Sequence, residues 1–88
     1  MNESENTELT SGGRKILGNL VDLKNLTIAN AIKQRGGGQS QVNQISTEYQ
    51  LLSVVELANL AAKGNREAKT AIKILKQARK KKDKYGGK

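Results

Sequence analysis

The chain has 88 residues, with 16 Lys and Arg against 8 Asp and Glu, and no His, Cys, Phe, Trp or Pro. That length suits one small domain; the missing Cys removes disulfides, thiolate catalysis and zinc–sulfur sites, and the missing His removes the commonest general base. The composition therefore points away from an enzyme and from any bound cofactor, and the net charge of +8 points toward a polyanionic partner.

Residues 1–13 are polar and acidic, with Glu3, Glu5 and Glu8 and no base, and they end in Gly12-Gly13. This composition predicts a disordered leader and is unlike an export signal, so a cytoplasmic location is expected, or a virion-associated one if the source is viral. No run approaches the ~20 apolar residues that span a bilayer. Asn25-Leu26-Thr27 matches a glycosylation acceptor, a match expected to be chance where the sequence shows no export signal.

The helical domain is predicted over 14–82, in an all-α arrangement of three helices. The first helix is placed at 14–35, where Ile16, Leu17, Leu20, Val21, Ile28, Ala31 and Ile32 share a broad face at ~100° per residue. Lys24 falls inside that face and Leu23 and Leu26 outside it, so the fit is imperfect. Asn19 and Asp22 offer an N-cap with its partner three residues on. Gly36 supplies the stop, and residues 36–44 read as a flexible Gly-rich linker.

The second helix is predicted at 47–63, opened by Thr47 and Gln50 at capping-box spacing. Its apolar residues point nearly all round the axis, which suggests a central helix or one with a second buried face. Leu51, Val55, Ala58 and Ala62 lie within ~60° of one another and form the candidate interface for a homo-oligomer or partner protein. Gly64 then stops this helix and Asn65 caps the third, predicted at 66–82. So short a turn predicts an antiparallel hairpin between the second and third helices.

On the third helix Ala68, Ala71, Ile72, Leu75 and Ala78 make a narrow apolar stripe, and Arg66, Lys69, Lys73, Lys76, Lys80 and Lys84 form a row beside it. Residues 63–88 hold eleven bases and two acids, a net +9, whereas residues 1–62 hold five bases and six acids. A one-sided cationic row matches a phosphate backbone and releases its counterions. Arg66, Lys69, Lys73, Lys76, Arg79, Lys80, Lys81, Lys82 and Lys84 are therefore the candidate nucleic-acid-binding residues, with 83–88 a disordered basic tail. Lysine suits backbone contact; base reading favours Arg, Asn and Gln, so little sequence specificity is expected.

Weaker signals add little. Arg35-Gly36-Gly37 is a single copy of an RNA-binding tail unit, and Tyr85 is a lone candidate for base stacking. Residues 64–70 lack the second glycine of a phosphate loop. The turn at 63–65 lacks the apolar residue of a DNA-reading helix-turn-helix. Two functions remain: a DNA- or RNA-binding accessory protein, and a structural component of a virion, filament or ribonucleoprotein.

Overall fold

A computed structural model describes residues 8–86, with side chains described through Ala78. Among these residues the chain is mostly helical and has no strand. Six α-helices follow one another: α1 (Ser11–Leu17), α2 (Ile28–Gln34), α3 (Gln39–Val42), α4 (Thr47–Gln50), α5 (Val54–Ala62) and α6 (Arg66–Gly86). A 3-10 helix (Gly18–Leu23) follows α1. α5 packs against both α1 and α6, and α2 lies against α6. The core is aliphatic, with Leu17, Ile28, Ile32, Val42, Val54, Leu57 and Leu75 fully buried.

The first predicted helix is broken at Gly18, where φ is +56°, and again before Thr27, and the second is broken before Ser53; one pairing joins the latter two breaks. Thr27 and Ser53 form an isolated antiparallel bridge. The Ile28 amide donates to the Leu52 carbonyl at 2.9 Å, Val54 to Leu26 at 2.9 Å, and Val55 to Lys24 at 3.0 Å. Both bridge residues are extended, with ψ of 155° and 159°, so neither can continue a helix through its position. Each is instead the N-cap of the helix that follows. Thr27 Oγ1 accepts from the Asn30 amide at 3.2 Å. Ser53 Oγ accepts from the Glu56 amide at 3.3 Å while Glu56 Oε1 accepts from the Ser53 amide at 3.2 Å, a complete capping box.

The 14–35 helix is therefore α1, the 3-10 helix and α2, and the 47–63 helix is α4 and α5. The caps expected at Asn19 and Thr47 are not formed. Asn19 lies within the 3-10 helix, and Ser46 precedes α4 without a side-chain cap.

Two helix ends form as the glycines predict. After α5, the Gly64 amide donates to Ala61 and the Asn65 amide to Leu60, both at 3.0 Å. After α2, Gly36 donates to Lys33 at 3.0 Å and Gly37 to Ile32 at 2.8 Å. Both are Schellman ends, in which the residue past the cap is left-handed; φ is +104° at Gly36 and +101° at Gly64. Asn65 then caps α6, its Oδ1 accepting from the Ala68 amide at 2.9 Å while its Nδ2 donates to Tyr49 Oη at 3.2 Å.

The segments predicted to be flexible carry more structure than their composition implies. Within the linker, α3 buries Val42 in the core. Before it, Arg35 donates from Nε to the Leu75 carbonyl at 3.1 Å, tying the end of α2 to α6. In the leader, residues 1–7 lie outside the described residues, but Thr10 caps α1 by accepting from the Gly13 amide at 3.0 Å. Asn59 of α5 holds this entry: its Nδ2 donates to the Glu8 carbonyl at 2.8 Å, and its Oδ1 accepts from the Thr10 amide at 2.9 Å and from Thr10 Oγ1 at 3.1 Å. At the other end, the backbone of α6 continues past residue 82 to Gly86, through part of the predicted tail.

Candidate nucleic-acid interface

α6 buries a wider arc than its predicted stripe. Ile74 joins Ala68, Ala71, Ile72, Leu75 and Ala78 in the core. At ~100° per residue Ile74 stands about 100° from Leu75, on the flank away from Ile72. A helix covered by both α5 and α2 needs this second flank. The remaining arc is open to water, and between Arg66 and Ala78 it presents Arg66, Lys69, Thr70, Lys73, Lys76 and Gln77, all exposed. The four cations fall within a sector of ~80° and, at 1.5 Å per residue, extend over about 15 Å of helix. The acid of this helix segment, Glu67, stands about 100° from Arg66 and outside that sector. The side chains of Arg79, Lys80, Lys81, Lys82, Lys84 and Tyr85 lie outside the described ones.

The cationic face borders a groove. Ile16 from α1, Ala61 from α5 and Ile72 from α6 line it together with Lys69, Lys73 and Lys76, enclosing about 330 Å³ open to solvent. Its lining is mostly hydrocarbon. Lysine has this dual use because its aliphatic stem lies along apolar surface while its ammonium stays in water. Ile16 is half-buried and packs on the core, so the α1 side of the groove is fixed by the same packing that docks α1 on α5.

The candidate interface residues on the second predicted helix are not brought together as one exposed surface. Val55 and Ala58 are 5% and 0% exposed, within the chain's own fold. The reason for Ala58 is α1, whose Gly13 backbone crosses it closely. Ala62 is exposed at the end of α5. Leu51 stands apart, 76% exposed in the short connection between α4 and α5. Near it in sequence, Leu52, Glu56, Asn59 and Leu60 line a second shallow groove of about 260 Å³. Glu48 and Glu56, eight residues apart in sequence, sit on different helices, and Glu56 is held in its capping box.

Among the described residues, no group of three or more His, Cys, Asp or Glu is placed to hold a metal ion. Every buried side-chain nitrogen or oxygen among them has a hydrogen-bond partner. No described helix is long and apolar enough to cross a membrane. Comparison with protein families, curated proteins and solved structures finds no match to this chain.

Proposed function

We propose that this chain is a small basic accessory protein that grips the phosphate backbone of DNA or RNA through α6, with little sequence preference. One observation carries the reading: the arc of α6 that presents Arg66, Lys69, Thr70, Lys73, Lys76 and Gln77 holds four cations and two neutral polar residues, and the exposed acid of the same segment, Glu67, stands outside it, about 100° from Arg66. Like charges three and four residues apart repel, by a few tenths of a kcal/mol per pair. A face that only kept the protein soluble would relieve that repulsion by mixing signs; phosphates relieve it by binding. In the sequence, Arg79, Lys80, Lys81, Lys82 and Lys84 add further positive charge toward the end of the chain. The antiparallel pairing of α5 with α6, joined by the three-residue turn, is the arrangement that holds this row rigid in our reading.

Rigid cations on a helix meet phosphates without reading bases, so affinity depends on salt more than on sequence. Titration of the protein into labelled oligonucleotides of two unrelated sequences tests this. Binding at 50 mM salt that weakens steeply by 200 mM, equally for both sequences, is expected. Binding that does not respond to salt overturns the proposal, as does no binding at 50 mM.

A second reading, a structural protein that assembles with copies of itself or a partner, rests on Leu51. A leucine 76% exposed beside partly exposed Leu52 is apolar surface that assembly would cover. Light scattering over a concentration series tests it; a mass that stays at one chain throughout refutes self-association.

A further inference from the structure

We infer that the groove beside the α6 lysines receives an unpaired nucleobase, so that the ligand of this face is single-stranded nucleic acid rather than duplex. The inference rests on the nucleic-acid reading above and sharpens it. It starts from the placement of the groove. Lys69, Lys73 and Lys76 belong both to the cationic row and to the groove wall, so a strand that follows those lysines passes over the groove. The floor beneath it is half-buried Ile16, backed by the buried Ala61 and Ile72, with no charged group except the lysines, whose aliphatic stems form its edge. A volume of about 330 Å³ stands at the low end of the ~300–1,000 Å³ typical of ligand pockets, and suits one flat ring system better than an extended ligand.

The two forms of nucleic acid meet this surface differently. A duplex presents phosphates with the faces of its bases stacked inside, and leaves the hydrocarbon floor facing water. A single strand can turn one base so that its face covers Ile16 and the aliphatic stems of the lysines while the flanking phosphates stay on the ammonium groups. Sequence-tolerant single-strand binding combines these two elements: a positive track for the backbone and an apolar platform for a base. The platform here is aliphatic, so its contribution belongs at the lower end of the stacking range. Charge alone argues the other way, because each phosphate contact releases more counterion from a duplex than from a single strand. A preference for single strands is therefore the signature of the groove and not of the lysine row.

The test uses the full chain and three probes of equal length: oligothymidine, a blunt duplex, and an oligomer carrying abasic sites along its whole backbone. Affinities are read by fluorescence anisotropy at the same salt. The expected result is about five- to tenfold tighter binding of oligothymidine than of either other probe. Ile16→Gln makes the floor polar and is expected to remove the preference for oligothymidine over the abasic probe. The abasic probe keeps the test independent of how well this variant folds.

Equal affinity for all three probes overturns the inference and leaves the backbone-binding reading standing, and tighter binding of the duplex does the same. Failure to bind any probe at 50 mM salt overturns that reading and this inference with it.

Discussion

Replacing Lys69, Lys73 and Lys76 with glutamine together tests the α6 face in its most quantitative form. Each of the three is exposed, and glutamine is nearly as good a helix former as lysine, so α6 is expected to keep its helicity. The four described cations of the face contribute about 0.7 each to the salt dependence of single-strand binding, a slope near 2.8 in log K against log salt. Between 50 and 200 mM salt that slope corresponds to a loss of roughly 50-fold in affinity. With only Arg66 left on the described face the slope contribution falls to about 0.7, or a loss of roughly threefold over the same range. Bases nearer the end of the chain add to both totals, so the difference between the proteins is the quantity to read: a drop in slope of about 2. Anisotropy titrations at four salt concentrations give it directly, with circular dichroism to check the fold. Lys24→Gln with Lys33→Gln, which lie outside α6, serves as the control and should move the slope little. A triple variant that keeps the wild-type slope, or a control that loses as much, places the binding surface elsewhere and refutes the reasoning.

Other expectations concern the fold that holds this face. Asn59→Ala removes all three hydrogen bonds to Glu8 and Thr10; because that site is exposed and water replaces part of them, a loss of about 1–2 kcal/mol is expected by denaturant unfolding, with faster hydrogen exchange in α1. Gly64→Ala forces a side chain into a left-handed backbone at φ +101° and should cost about 1–2 kcal/mol, visible as a lower Tm with unchanged helicity at low temperature. Ser53→Ala and Glu56→Ala each break one half of a reciprocal box; each should cost about 1 kcal/mol, and the double variant clearly less than the sum, as a double-mutant cycle will read. Deletion of residues 83–88 removes Lys84 and Lys88 along with Asp83 and should weaken oligonucleotide binding only a few-fold, whereas complete loss of binding would move the site into the tail.

What the sequence made legible was local. Gly36, Gly64 and Asn65 act through bonds to residues within one turn, and all three do what their residue types suggest. What it hid was the pairing of Thr27 with Ser53, residues that meet only when the chain folds back on itself. The trace of that break was nevertheless present: Lys24 on the apolar side of the first helix and Leu23 and Leu26 off it are the mark of a helix that does not continue. The Ser53–Glu56 pair carried the same capping-box spacing as Thr47–Gln50. Leu51 and Leu52 made the earlier pair look like the start of one long apolar run, when they belong to the connection between two helices.

The candidate site divides along the same line. The lysine row is a property of one helix, and 3.6-residue periodicity displays it in full. Ile74, by contrast, was left off the apolar stripe because its burial depends on how many elements pack around α6, and α2, α3 and α4 contact it besides α5. Asn59 is the one polar residue of α5 beyond its capping-box Glu56, a signal that something polar must meet it, but not that the partner is the backbone of Glu8 and Thr10, some fifty residues earlier. The groove is the most strongly tertiary feature: its walls come from α1, α5 and α6, and Ile16 reads in sequence as an ordinary core position. Its meaning arises from juxtaposition. An apolar floor under solvent is a weak liability, and a row of lysines in water is a common surface. Side by side on one face, they suit a ligand that offers charge at its edge and a bare ring at its centre.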